Sequence, residues 1–160
     1  MQRFPITSDG YAKMNEELQN LKNIERPAVI AAIAEARGHG DLSENAEYEA
    51  AKEKQGYIEA KIADLESKVA RSQIISNRDV DTTKIQFGAY VTLYDLDSEK
   101  NLEYRIVGDY EADLTKKYVS IFSPIAKSLI GKKRGDEVEV KTPGGLKFYD
   151  VVDIRYDDAS

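Results

Sequence analysis

A heptad pattern in the first half of the chain constrains the fold more than any other feature of the sequence. The pattern steps by three and four residues in alternation through a mostly apolar set: Tyr48, Ala51, Gln55, Ile58, Ile62, Leu65 and Val69. Glu, Lys and Asp fill most of the positions between them. A stripe with this spacing belongs to a helix that buries one side against a second helix. The sequence therefore predicts a coiled-coil segment over this region.

The partner helix is predicted upstream, from about residue 10. Its seam starts with the same spacing and continues in a softer run: Tyr11, Met14, Leu18, Leu21, then Ala28, Ile30, Ala31, Ile33 and Ala34. Pro27 is expected to bend this helix, because its ring clashes with a carbonyl one turn back. Gly38 and Gly40 end the helix. The connection is so short that the two helices must run antiparallel, as a long, charged hairpin.

The second half of the chain changes to a period of two. Alternating apolar and polar residues predict strands over 90–94, 102–107, 118–122, 137–140 and 147–154. One short helix interrupts them, with Ser123 as its N-cap, Pro124 in its first turn and Gly131 after its end. We therefore expect two domains, a helical hairpin over residues 1–77 and an α+β domain over residues 78–160. The second is predicted to be an antiparallel sheet with one helix packed against it.

Composition excludes several classes of function. The formal net charge is −6, with ten Lys and Arg against thirteen Asp and Glu up to residue 77 and thirteen against sixteen after it. Each half is thus −3, which argues against a domain that binds duplex DNA by neutralising phosphates. The absence of cysteine excludes disulfides, and a single histidine excludes a histidine-rich metal site. No apolar run approaches the length of a membrane span, and no signal-peptide pattern is present, so a cytoplasmic protein is expected.

The turn of the hairpin carries the candidate chemistry. Asp41 and Glu44 lie three residues apart at the far end of the predicted coiled coil. Asp-x-x-Glu before a helix is also a capping box, with the first residue as N-cap and the second in the first turn. On spacing alone, capping is the more frequent role for such a pair. Capping does not exclude a function, because it fixes two carboxylates at the tip.

A resemblance to a known family separates these alternatives. Residues 37–48, Arg-Gly-His-Gly-Asp-Leu-Ser-Glu-Asn-Ala-Glu-Tyr, resemble the tip signature of the bacterial transcript-cleavage factors of the Gre family. The likeness extends through nearly the whole chain: Pro5-Ile6-Thr7, Gly10-Tyr11, Arg26-Pro27, Phe87-Gly88-Ala89, Tyr104 to Gly108, Glu111-Ala112-Asp113, Ser123-Pro124-Ile125-Ala126, Leu129-Ile130-Gly131 and Lys141 to Gly145. The globular half resembles the GreA branch more closely than the GreB branch.

The resemblance implies a fold, a partner and a reaction. Family members have an N-terminal antiparallel coiled coil and a C-terminal FKBP-like domain. That domain docks at the rim of the secondary channel of bacterial RNA polymerase, and the coiled coil reaches the active site. The factor stimulates the polymerase to cleave backtracked RNA near its 3′ end. On this reading the chain is not an enzyme by itself and has no cofactor of its own. Because the heptad seams are used up within the hairpin, we expect a monomer when the chain is free.

The resemblance also assigns roles to single residues. Asp41 and Glu44 match the acidic pair that helps to retain the second Mg²⁺ of the polymerase, and no metal is expected to bind stably to the free protein. Arg37, Ser43, Asn45 and Lys52 are expected to support the tip or to contact RNA. Ser43 and Asn45 more plainly shape the turn, and Lys52 stands where many relatives carry arginine, which weakens the case for bidentate phosphate binding.

In the second domain, two further features are assigned. Ser123 and Pro124 match the loop that contacts the polymerase rim, although helix capping alone also explains this pair. The basic run of Lys132, Lys133 and Arg134 has the composition of a solvated turn more often than that of a nucleic-acid site.

Three other functions fit parts of the pattern. An FKBP-like domain suggests a prolyl isomerase. A Gre-like paralogue that blocks the channel without cleavage is a second candidate, although such paralogues differ at the tip. A coiled-coil chaperone or adaptor is the third.

Overall fold

The computed structural model describes residues 2–40, 45–77 and 79–157. The chain divides into two compact units. One comprises Ala12–Arg71, and the other joins the residues up to Tyr11 with those from Ser72 onward.

The first unit is the predicted antiparallel helical hairpin. Helix α1 (Ser8–Asn20) is followed by a π-helical turn (Leu21–Glu25), helix α2 (Arg26–Arg37) and helix α3 (Ala46–Arg71). Helices α2 and α3 pack on each other. Across them, the Arg26 guanidinium donates two hydrogen bonds of 2.8 Å to the Glu59 carboxylate, and Lys22 lies 3.4 Å from Glu66. The order of these pairs along the chain is that of antiparallel helices.

The apolar seam is confirmed on α3 and on α1. Every predicted α3 position is buried or half-buried, with Ile58, Ile62 and Leu65 almost fully enclosed. Along α2 the prediction is wrong for all positions but one. The residues that are exposed there are Ala28, Ile30, Ala31 and Ala34. The seam instead passes through Val29, Ile33 and Ala36.

The π-helical turn explains this displacement. The Arg26 N–H donates to the Leu21 carbonyl five residues back, so the turn holds one residue more than an α-helical turn. Continuing the steps of four and three from Leu21 gives positions 25, 28, 32 and 35. The observed positions 29, 33 and 36 each lie one residue later. The sequence predicted a bend at Pro27. The structure shows the irregularity in the π-helical turn just before this residue, which contains the carbonyl that the proline ring would otherwise meet.

The second unit contains two sheets. Strands β1 (Phe4–Ile6) and β2 (Ser72–Ile74) form a parallel pair that the sequence pattern did not predict. The larger sheet has five strands: β3 (Tyr90–Asp95), β4 (Lys100–Val107), β5 (Tyr118–Ser120), β6 (Glu137–Thr142) and β7 (Gly145–Arg155). Their order across the sheet is β5-β4-β3-β7-β6. All neighbours are antiparallel except β4 and β5, which run parallel.

Helix α4 (Pro124–Leu129) and one sheet face form the core of this unit. Strand β3 alternates between buried and half-buried residues, and Val91 and Leu93 are fully buried. Ala126 and Leu129 of α4 are buried against this face. The predicted α+β architecture, with a sheet and one short helix, is thus confirmed. The exceptions to the predicted antiparallel sheet are the parallel pairing of β4 with β5 and the separate parallel pair of β1 and β2.

The N-terminal segment is held in this unit by close packing around Gly108. A Cβ atom at Gly108 would lie 1.9 Å from the Pro5 carbonyl oxygen, so only glycine permits this approach. The Glu111 carboxylate accepts hydrogen bonds from the Thr7 N–H at 3.1 Å, from the Thr7 hydroxyl and from the Gly108 N–H at 2.9 Å. We call this group of contacts the N-terminal socket.

A buried arginine holds the first turn of α1 beside the socket. The Arg105 side chain is 2% exposed and donates hydrogen bonds of 2.7 and 2.9 Å to the Asp9 carboxylate. Its guanidinium lies 4.7 Å from the ring centre of Tyr90 and 5.5 Å from that of Tyr118. The hydrogen bonds from Arg105 lower the pKa of the Asp9 carboxyl below its ordinary value.

Candidate functional site

The predicted tip residues fall on both sides of the hairpin turn. Arg37 is the last residue of α2, Asn45 directly precedes α3, and Lys52 lies on α3. Asp41, Ser43 and Glu44 lie outside the described residues, so their roles stay predictions.

Asn45, not Asp41, caps helix α3. The Asn45 Oδ1 atom accepts a hydrogen bond from the Tyr48 N–H at 3.0 Å, and the helix begins at Ala46. This is the N-cap geometry, in which a side-chain oxygen satisfies a backbone donor in the first turn. Asp41 is therefore not the N-cap of α3, and whether Asp41 and Glu44 form a capping box in the turn itself lies outside the described residues. Neither acid is needed to cap this helix.

The same asparagine reaches back to the end of α2. Its Nδ2 group donates a hydrogen bond of 2.7 Å to the Ala36 carbonyl oxygen. That carbonyl belongs to the last turn of α2 and also accepts the His39 N–H at 3.1 Å, so Asn45 supplies a second hydrogen bond to it. Through these two hydrogen bonds Asn45 joins both helix ends, a geometry that fits the turn-shaping role predicted for it.

The glycines end α2 as the sequence predicted. Gly38 directly follows α2, and its N–H bonds to the Glu35 carbonyl at 3.0 Å. Gly40 has a φ of +103°, which non-glycine residues rarely adopt. The chain therefore leaves α2 through a glycine-dependent turn.

Two weaker contacts also cross the turn. The His39 Nδ1 atom lies 3.0 Å from a Glu47 carboxylate oxygen, with both side chains about half or more exposed. The Arg37 guanidinium lies 6.0 Å from the centre of the Tyr48 ring. His39 is thus part of the turn, and among the described residues no group of three or more acidic, histidine or cysteine side chains is placed to hold a metal.

The structure brings Arg37 and Lys52 together at one depression on the hairpin. It has a volume of about 250 Å³ and is lined by Ile30, Ile33, Ala34, Arg37, Lys52 and Gln55. We call it the hairpin groove. The Lys52 ammonium donates a 3.2 Å hydrogen bond to the Gln55 side chain, and Ile30 is 51% exposed. Arg37 and Lys52 therefore border an apolar surface near the turn of the hairpin.

Sequence reasoning missed the apolar part of this groove. Ile30, Ala34 and Arg37 are spaced by four and three residues, which places them on one face of α2. The prediction had assigned Ile30 and Ala34 to the buried seam. The sequence did not reveal that the π-helical turn moves the buried seam of α2 by one residue, which leaves Ile30 and Ala34 exposed.

The loop before α4 is arranged as predicted. The Ser123 Oγ atom accepts a hydrogen bond from the Ala126 N–H at 3.3 Å and donates one of 2.6 Å to the Ser120 carbonyl. Pro124 is the first residue of α4 and is exposed, and the neighbouring Phe122 side chain is 51% exposed. Ser123 is confirmed as an N-cap, while contact with a partner stays a prediction.

The basic run after α4 serves the fold. The Arg134 guanidinium donates hydrogen bonds to Asp153 at 2.9 Å and to the Ile154 carbonyl at 2.5 Å. The Lys133 N–H bonds to the Asp136 carboxylate at 2.9 Å. The hydrogen bond from Arg134 lowers the pKa of Asp153. These contacts favour the interpretation as a turn.

No helix in the part of the chain that the structure describes is long and apolar enough to cross a bilayer.

Comparisons with known proteins identify the family. Residues 4–74 match the model for the N-terminal domain of transcription elongation factors, and residues 80–156 match the model for the GreA/GreB C-terminal domain. The two matches cover both the hairpin and the sheet unit. The chain belongs to the GreA/GreB family of transcription elongation factors.

Individual relatives agree with the predicted GreA branch. The transcription elongation factor GreA of Phenylobacterium zucineum is 54% identical over 156 residues, which cover 98% of this chain and 99% of that protein. GreA of Rickettsia bellii is 57% identical over 158 residues, with 99% and 98% covered. Among solved structures, Gfh1 of Thermus thermophilus aligns with 27% identity and a TM-score of 0.44 over 96% of this chain and 99% of its own.

Proposed function

We propose that this chain enters the secondary channel of bacterial RNA polymerase and stimulates endonucleolytic cleavage of backtracked nascent RNA, which releases arrested complexes. The reaction belongs to the polymerase, and the chain supplies side chains to it. Membership of the family supports this proposal, together with the placement of two acids in the turn of a narrow hairpin.

The observation that carries the proposal is the cap of α3. Asp-x-x-Glu beside a helix is ordinarily explained by capping, which was the main alternative to a function. Asn45 performs that role through its 3.0 Å bond to Tyr48. Capping of α3 therefore does not account for Asp41 and Glu44, and carboxylates are suitable ligands for a divalent cation.

The donor set fits Mg²⁺ only in part. Mg²⁺ prefers oxygen ligands and is commonly bound by one or two carboxylates together with phosphate oxygens and water. Asp41 and Glu44 supply two carboxylates, which suits a metal whose remaining ligands come from the polymerase and RNA. When bound there, the metal would stabilise charge on the scissile phosphate or activate water. The chain's own part is to bring two acids to that place.

We propose that the hairpin groove binds the 3′ segment of the backtracked RNA. Arg37 and Lys52 flank it and carry positive charge towards the turn. Phosphates would be attracted by this pair of cations, although Lys52 provides a point charge rather than a bidentate donor. Ser43 and Asn45 would support the turn.

Docking is assigned to the sheet unit. We propose that the loop at Ser123 and Pro124 contacts the rim of the channel, because Ser123 fixes its shape and Pro124 is exposed beside an exposed Phe122. This division gives reach to the hairpin unit, Ala12–Arg71, and affinity to the sheet unit.

Isosteric amide substitutions test the role of the acids. Asp41→Asn and Glu44→Gln remove charge but keep size, so stimulated cleavage by a backtracked complex should fall while polymerase affinity is unchanged. Glu53→Gln is the matched control, because this α3 acid is exposed and lies two turns beyond the turn region. Full cleavage activity of both tip variants would contradict the proposal.

A Mg²⁺ titration separates metal retention from other uses of the acids. The Mg²⁺ concentration for half-maximal cleavage should fall when the chain is added to the polymerase, and Asp41→Asn should raise it again. An unchanged half-maximal concentration with a changed maximal rate would point to positioning of the attacking water by the carboxylates.

A further inference from the structure

Asn45 is the residue through which the end of α2 and the start of α3 are joined most directly. Its Nδ2 donates to the Ala36 carbonyl at 2.7 Å, and its Oδ1 accepts from the Tyr48 N–H at 3.0 Å. Ala36 is 2% exposed, so the first of these bonds lies at the edge of the hairpin core. The Asn45 amide thus connects the end of α2 with the start of α3, and residues 37–44 lie between these two points in the sequence.

We propose that Asn45 is a positioning residue for transcript cleavage, because its bridge from Ala36 to Tyr48 fixes the two ends of the segment that carries Asp41 and Glu44. This inference rests on the proposed function. Asn45 itself touches no reacting atom. It acts by limiting the separation and relative rotation of the residues that flank the acids.

The other contacts that the described residues make across the turn are too weak to do this. The side chains of His39 and Glu47 are 49% and 73% exposed, and exposed ion pairs contribute little because water and salt screen them. The Arg37 guanidinium, 6.0 Å from the Tyr48 ring centre, lies at the outer limit of a cation–π contact. The two short hydrogen bonds of Asn45 are the stronger restraint.

Only an amide side chain of this length supplies both halves of the bridge. Asparagine carries a donor and an acceptor, whereas an ionised aspartate accepts only. Aspartate and serine are nevertheless good N-caps. Asn45→Asp and Asn45→Ser therefore retain the cap on Tyr48 and lose the amide donor to Ala36, which separates the bridge from helix stability.

The test compares these variants with a charge-matched control in the full-length chain. Asn23→Asp is suitable, because Asn23 is exposed in the π-helical turn and its amide donates a 3.3 Å hydrogen bond to Oε1 of the exposed Gln19 within the same helical segment. For both Asn45 variants we expect unchanged polymerase affinity and only a small fall in the thermal midpoint, because one hydrogen bond is lost while the helix cap is kept. Stimulated cleavage should fall about tenfold to a hundredfold, the loss that a misplacement of about 1 Å can produce. Asn23→Asp should keep full activity.

A distance measurement provides a readout that does not depend on activity. The chain contains no cysteine, so spin labels can be attached at Glu35→Cys on α2 and Glu49→Cys on α3, both of which are exposed. The distance distribution between the labels should broaden in Asn45→Ser and Asn45→Asp and stay narrow in Asn23→Asp.

The outcomes are distinct. Normal cleavage or an unbroadened distribution in Asn45→Ser overturns the positioning role, and so does a loss of cleavage in Asn45→Asp alone, because that result reports the added charge. Cleavage that returns to the wild-type rate when it is assayed well below the thermal midpoint of the variant would also overturn it, because the loss would then reflect unfolding. Failure of the proposed function is recognised separately, because Asp41→Asn would then cleave normally.

Discussion

Replacing Gly108 by alanine should detach the N-terminal segment from the sheet unit. The added Cβ would lie 1.9 Å from the Pro5 carbonyl oxygen, whereas ordinary contacts begin at 3.4 Å. Either strand β1 or the β4 end must therefore move by about 1.5 Å, the difference between these distances. The Thr7 N–H, now 3.1 Å from Glu111, would leave hydrogen-bond range.

The size of the effect follows from the terms involved. Overpacking of a filled site costs about 1–3 kcal/mol. Losing a hydrogen bond to a charged group costs about 1.5–3 kcal/mol. The overpacking cost and the hydrogen-bond cost do not add in full, because a shift of the backbone that relieves the overpacking is the same shift that breaks the hydrogen bond. Gly108 has φ −80° and ψ 167°, which alanine adopts readily, and restriction of the unfolded chain returns about 0.4–1 kcal/mol. We expect a net loss of about 2–3 kcal/mol.

Urea unfolding followed by near-ultraviolet circular dichroism measures this loss. The chain has ten tyrosines and no tryptophan, and several of the tyrosines lie in the sheet unit. Gly144→Ala is the matched control, because its Cβ would be 3.9 Å from the nearest atom, Thr142 Oγ1. If Gly108→Ala loses less than about 1 kcal/mol relative to this control, the close approach of Pro5 does not govern stability and the reasoning fails.

Three further perturbations have definite expected results. Gly56→Ala, in the exposed interior of α3 with no atom near the added Cβ, should raise the stability of the hairpin by about 1 kcal/mol; an unchanged urea midpoint in far-ultraviolet circular dichroism would refute this. Asp9 has a pKa lowered by Arg105, so its stabilisation is present above its ordinary value of 3.8 and is lost as pH falls through the lower folded-state value. Asp9→Asn should therefore flatten the fall of unfolding free energy in acid, and equal slopes would show that the ion pair does not contribute. Ser123→Ala should cost about 1 kcal/mol through the lost cap on Ala126, measured by thermal unfolding, and no loss would exclude a capping contribution.

Local periodicity predicted most of the fold because the elements concerned are long or strongly patterned. The seam of α3, the strands of the large sheet and the cap of α4 each depend on residues close together in sequence. Strand β1 was not predicted, because three residues are too few to show a period of two. Its partner β2 is also separated from it by the whole hairpin. The parallel pairing of β4 and β5 depends likewise on how the chain between them crosses the sheet.

The sequence identified the residues of the candidate site but favoured Asp41 over Asn45 as the N-cap of α3. Asp41 and Asn45 are both good N-caps, so the sequence alone does not decide which one begins α3. The 2.7 Å bond from Asn45 to Ala36 favours the later start, and it is a contact between helices that no local pattern contains. The roles of the two acids were assigned by family resemblance, and they stay predictions until cleavage is measured.

The extra residue in the π-helical turn keeps the apolar seam continuous from α1 to α2. Deleting Ile24, which is 63% exposed, would shorten the spacing from Leu21 to Val29 to one step of four and one of three residues. Helices α1 and α2 would then join as one regular α-helix, with Val29, Ile33 and Ala36 still in the seam. If the turn were wound as an α-helix with all its residues kept, α2 would instead be out of phase with α3 by about 100°, the rotation of one residue. The hydrogen-bond pattern of this turn, rather than the identity of its exposed side chains, therefore sets which face of α2 meets α3.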